Sequence, residues 1–105
     1  MDDLVLLLTT ETGYEWAGWG WAKPPAGDYG VVSYAADSTF QADERNTERI
    51  REGYVDYFTR TTGDVAKAAI ETALNKSGLH WYNTGVDYER ETGFVHLSWR
   101  VAWDA

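Results

Sequence analysis

The chain contains no cysteine, only two prolines and two histidines, and only nine basic residues against seventeen acidic ones. Each scarcity excludes something. Without thiols there is no disulfide staple, no thiolate nucleophile and no Cys-ligated zinc or iron–sulfur centre. The lack of thiols also fits a reducing compartment. A net charge of −8 argues against a broad electrostatic grip on nucleic acid, which needs basic surface to displace counterions. The longest apolar run, Leu4 to Leu8, follows two acids, lacks a basic region before it and is far too short to span a bilayer. A soluble protein made inside the cell, and not secreted, is the expectation.

What the chain has in quantity is aromatic surface: six Trp, seven Tyr and three Phe in 105 residues. Such side chains each bury a large apolar area. A chain of this length is expected to form a single domain over 1–105, with roughly two-thirds of its unfolded surface buried. The acids are spread along the chain, as on a soluble surface.

Local patterns predict the elements. Asp2 to about Thr10 reads as a helix, with two acids at its positive end. The stretch Gly13 to Ala22 alternates tryptophans with small residues and favours extended structure. Pro24 to Asp28 has the chemistry of a turn. Tyr29 to Ala35 reads as a strand, Phe40 to Glu48 as a strand and then a loop, and Glu52 to Arg60 as a strand. A helix follows, with Asp64 expected as its N-cap and Val65, Ala69, Ile70, Ala73 and Leu74 on one side. Ser77-Gly78 supplies its stop. The C-terminal quarter predicts a hairpin: a strand over about Thr84 to Arg90, a turn at Glu91-Thr92-Gly93, and a return strand. That strand places Val95, Leu97, Trp99, Val101 and Trp103 on a core face and Phe94, His96, Ser98 and Arg100 on the other. The fold class that results is α+β, a mostly antiparallel sheet with one N-terminal and one central helix packed on one face.

Catalytic patterns are sparse. His80 and His96 have no helix-spaced partner, no glycine-rich phosphate loop is present, and no metal or cofactor is expected. Asp87 and Glu89 share a strand face as in metal-dependent nucleases, yet Arg90 stands where a lysine would help. They read better as a solvated face with cross-strand charge pairs. Trp16, Trp19 and Trp21 suggest a stacking platform for sugar rings or single-stranded bases, against the plainer reading that two of them pack on the core while the third meets a neighbouring subunit. Residues 43–52 hold three of the six arginines among four acids, a density suited to a solvated loop or to oriented ion pairs between copies.

Several strings, in order, resemble the tail-terminator (tail-completion) proteins of siphophages. They are Tyr29-Gly30-Val31-Val32-Ser33-Tyr34, the Asp/Arg-rich middle, Gly53-Tyr54-Val55-Asp56-Tyr57-Phe58-Thr59, Ala68-Ala69-Ile70-Glu71-Thr72-Ala73-Leu74, and His96-Leu97-Ser98-Trp99. The resemblance spans about residues 24–103, and the tryptophan-rich stretch departs from it. It implies a non-enzymatic virion protein, without cofactor, that forms a hexameric ring on the finished tail tube and meets the head connector. DNA would pass such a ring without specific binding, and an acidic lumen would keep phosphates from adhering. Contacts between subunits or with a partner are then expected at Arg45, Arg49, Arg51, Asp87, Glu89 and Arg90. Two other classes stay open: a small acidic interaction protein that imitates nucleic-acid charge, and a carbohydrate-binding module built on the tryptophans.

Overall fold

The computed structural model describes residues 2–18, 25, 27–34 and 50–104. In chain order the elements are α1 (Asp2–Thr12), β1 (Trp16–Gly18), β2 (Tyr29–Tyr34), β3 (Ile50–Thr59), α2 (Asp64–Ser77), β4 (His80–Glu89) and β5 (Phe94–Asp104). The five strands form one sheet in the order β1-β2-β3-β5-β4. Only β1 and β2 run parallel; the other pairs are antiparallel. The expected α+β class is the observed one.

Alternation along the strands sorts the side chains into two faces. Val55 and Tyr57 of β3 stand opposite Trp99 and Leu97 of β5, and with Val32 and Val101 they form the buried face. Against it lie Leu4 and Leu8 of α1 and Ala66, Ile70, Ala73 and Leu74 of α2. Spacings of three and four put these helical residues on single stripes, so both helices cover the same side of the sheet.

Specific hydrogen bonds dock the helices. Trp99 is fully buried, and its indole N–H donates to Glu71 of α2 at 3.0 Å. The Trp81 indole donates to Asn75 at 3.0 Å. A buried indole needs such an acceptor, because an unpaired buried donor is costly. At the opposite side, the Thr12 hydroxyl ends α1 by donating to Leu8 O and accepting from the Trp16 indole. Trp16 then packs on Tyr57, with ring centroids 5.4 Å apart.

Asp28 holds the start of β2 to the end of β3. Its carboxylate accepts from the Thr59 hydroxyl at 2.7 Å and from the Arg60 backbone N–H at 3.1 Å. Thr59 is itself buried, so a charged acceptor here satisfies a hydroxyl with no access to water. Burial also pushes the Tyr57 phenol well above its ordinary value, with the negative charge of Asp28 adding to the effect.

The structure moves several expected boundaries. Gly63, not Asp64, occupies the N-cap of α2, and no side chain caps it. Asp64 is instead the acid of the first turn, where it favours the helix dipole. The Gly78 stop is present, in the left-handed conformation that glycine adopts without strain. β4 begins at His80 rather than Thr84, because Trp81 pairs with Val101 and its indole is held by α2. The expected elements over Phe40–Glu48 lie outside the described residues, as do Pro24 and Ala26 of the expected Pro24–Asp28 turn.

One tight packing point is testable. A methyl group at Gly30 would come within 2.2 Å of the Trp16 ring, which is itself buried. Gly30→Ala is therefore expected to lower stability by about 1–3 kcal/mol, the usual range for overpacking. Urea unfolding followed by tryptophan fluorescence measures this, and an unchanged midpoint would contradict the packing described.

Candidate functional site

Among the described residues the second face of the sheet carries no helix, and its side chains come from all four of the longer strands. His96 and Ser98, two apart on β5, share that face, and Asp56 of β3 stands directly opposite Ser98. The His96 Nε2 lies 2.8 Å from Asp56 Oδ1. The Ser98 hydroxyl donates to the same Asp56 oxygen at 2.9 Å and lies 3.1 Å from His96 Nε2. From β4, Glu89 approaches His96 Nδ1 at 3.8 Å, and Asp87 pairs with His96 in register. Phe58 of β3 stacks on the imidazole with ring centroids 4.3 Å apart.

These surroundings favour the imidazolium. The hydrogen bond to Asp56 raises the His96 pKa above its ordinary 6.5, burial opposes the rise, and the charges of Asp56, Glu89 and Asp87 reinforce it. Serine, histidine and aspartate thus meet, but not as a charge-relay triad. A triad sets the carboxylate and the hydroxyl on opposite ring nitrogens. Here both converge on Nε2. When Nε2–H donates to Asp56, that nitrogen has no lone pair with which to take the proton of Ser98. The cluster is a polar anchor that ties β3, β5 and β4 together on the open face.

Beside it sits a small aromatic cluster. Tyr29 stacks on Phe58 at 5.0 Å, and Phe94 meets both edge-on at 5.8 and 6.2 Å. The Arg60 guanidinium lies 4.3 Å above the Phe94 ring and donates to Thr92 O at 3.1 Å. Phe94 is consequently buried, although alternation assigns it to the solvent face. Further along, Arg100 pairs with Glu52 and lies over the Tyr54 ring.

β4 is one of the two edge strands of the described sheet, the other being β1. Val86, paired with Leu97, and Tyr88, paired with Val95, belong to the helix side yet are 56% and 60% exposed. Asp87 and Glu89 occupy the opposite side of the same strand. One irregularity, between Asn83 and Gly85, interrupts the pairing with β5.

Of the residues singled out by sequence, Asp87 and Glu89 are brought together with His96, and Arg90 is exposed in the turn that follows. Arg51 lies in β3 opposite Trp103, near the other end of β5 from Phe94, which pairs with Glu89. Nine residues of strand separate Phe94 from Trp103, roughly 30 Å. Arg45 and Arg49 fall outside the described residues, as do Trp19 and Trp21. Trp16 is 6% exposed, so it is a core residue and has no face free to stack on a sugar. Sequence reasoning placed His96 correctly on its face but missed its partner Asp56, forty residues away. Only the strand register brings the two together. Among the described residues no group of three or more acidic or histidine side chains is arranged to hold a metal ion.

The described residues form an α+β fold, with two helices on one face of the sheet and none on the other. A similar fold occurs in a chain of the solved structure described as the virion of a native gene transfer agent (GTA) particle. That match has a TM-score of 0.54 and 15% sequence identity, and covers 93% of this chain and 84% of the other. No protein-family model matches this sequence, and neither does any curated protein.

The imidazolium makes stability depend on pH in a definite direction. A folded-state pKa above the unfolded value contributes stability that is fully present below about pH 6.5 and lost as pH rises through the folded value. Urea unfolding across that range is expected to show this contribution fading toward alkaline pH. His96→Asn should remove it, leaving a flatter profile. An identical pH profile in the variant would refute the assignment.

Proposed function

We propose that this chain is a structural subunit of a phage-like particle, a tail terminator that caps the tail tube and faces the head connector as a ring. The observation that carries the reading is the likeness of fold to a chain of a gene transfer agent virion, extending over 93% of this chain. The siphophage resemblance in sequence points the same way. So does the chemistry of the open face, where polar groups anchor strands to one another. In this reading the protein has no catalytic residues and no cofactor, and its place is the virion tail after synthesis in the bacterial cytoplasm. Its partners are other copies of itself, a tail-tube protein and a head-completion protein. Contacts fall to Arg45, Arg49, Arg51, Asp87, Glu89 and Arg90.

The net charge of −8 suits a ring through which DNA travels, because acids repel phosphates while bases hold them. Electron microscopy of the purified protein with tail tubes from the phage that encodes it is expected to show rings at tube ends. Protein that stays monomeric and leaves tubes uncapped would sink the reading. The assembled protein is also expected not to retard duplex DNA at about 50 mM salt, where non-specific binding is strong. A mobility shift under those conditions would contradict passage without adhesion.

A further inference from the structure

Strand β4 is held to the rest of the protein unevenly along its length. Its first half is fastened by side chains: the Trp81 indole donates to Asn75 of α2, and the Asn83 amide donates to Ser98 O. The register then slips between Asn83 and Gly85. Gly85 has a φ of 156°, a conformation that residues with side chains rarely adopt, and a Cβ placed there would meet nothing within 4 Å. Beyond this point Val86 and Tyr88 are exposed, so little apolar burial holds the second half.

What remains on that half, apart from the ladder to β5, is charge. Glu89 lies 3.8 Å from His96 Nδ1, and Asp87 stands opposite His96 in the register. Glu89 also accepts from the Thr92 hydroxyl, but inside the hairpin's own turn. The imidazole meets Asp56 and the Phe58 ring from β3, and the Ser98 hydroxyl from its own strand. Arg60 is committed elsewhere, over the Phe94 ring and on Thr92 O. Three carboxylates from two strands, Asp56, Glu89 and Asp87, therefore act on one imidazole. Protonated, it is the cation that draws the β4 acids toward β5. Neutral, it keeps the Asp56 hydrogen bond through Nε2–H, and the β4 acids face a third acid without a countercharge.

We propose that Gly85–Glu89 is a pH-gated flap, hinged at the Gly85 bulge, clamped to β5 by the His96 imidazolium and released when that imidazolium loses its proton. The raised pKa of His96 sets the direction. The clamp is complete below about pH 6.5 and fades as pH rises through the folded value. Release leaves the β5 backbone from Phe94 to Leu97 without its partner strand, and such an edge is a template for another extended segment. The device belongs to the single chain and stands apart from the assembly reading.

Amide hydrogen exchange of the intact protein, read residue by residue by nuclear magnetic resonance, tests it. Opening of a flap exposes little surface and depends little on low urea, whereas exchange through global unfolding depends on it steeply. The β5-bonded amides between Val86 and Glu89 are expected to exchange by the urea-insensitive route, and those of Trp81 and Val55 to be more protected at every pH. After correction for intrinsic exchange rates, flap opening is expected to rise about two- to fivefold as the His96 ring protons titrate, the effect of losing a partly exposed ion pair. His96→Asn should open freely at every pH with no step, and Glu89→Gln should show a smaller step than the wild type. Flap amides that exchange only through global unfolding overturn the proposal, as does flap opening that ignores the titration of His96. A step that survives in His96→Asn overturns it too, because another group then does the gating.

Discussion

The burial of Trp99 is the constraint on which the rest of the structure depends. It sits on β5 between Val55 of β3 and Asn83 of β4, and it is fully removed from water. So large a side chain requires a helix layer to cover it, and its N–H requires an acceptor within that layer. Glu71 meets both demands, and Lys67 holds Glu71 from one turn away at 3.2 Å. Sequence alone gives that i, i+4 pair little weight, since its orientation is the poorer one. Its significance lies in what the carboxylate does next, which is to fix α2 over the centre of the sheet.

Much of the fold is legible from local pattern, for identifiable reasons. The α2 stripe of Ile70, Ala73 and Leu74 and the alternation of Leu97, Trp99 and Val101 are short-range regularities that map onto burial, but Val65, expected on the same stripe, is exposed, and Ala66 is buried in its place. The element starts are less legible. Asp64 has the chemistry of an N-cap, yet Gly63 takes the position, where its N–H bonds to the Thr61 hydroxyl. The early start of β4 depends on an indole reaching Asn75 on a helix, which no window of strand propensity contains. Gly30 reads as an ordinary strand residue, whereas its lack of a side chain is what admits Trp16.

The open face was the least legible part. Phe94 falls on the polar side of its strand by alternation, and its burial comes from Tyr29, Phe58 and Arg60, which are distant in sequence. The Asp56–His96–Ser98 cluster likewise exists only once β3 and β5 are in register. Residue types alone suggest a triad there; the sharing of one ring nitrogen shows an anchor. Of the contact residues expected from sequence, Asp87 and Glu89 lie on β4, an edge strand of the described sheet, and Arg51 lies at the far end of that sheet.

The order of strands also bears on how the chain reaches this state. β4 and β5 are joined by a short turn, closed by the Gly93 N–H on Glu89 O, so their pairing costs little loop entropy. The central pairing is different. Thr59 meets Val95 and Ile50 meets Asp104, and the whole of α2 and β4 lies between them in the chain. Closure of that long loop is the slow, entropy-limited event. The hairpin that carries β4, an edge strand of the described sheet, is therefore the part best placed to exist first.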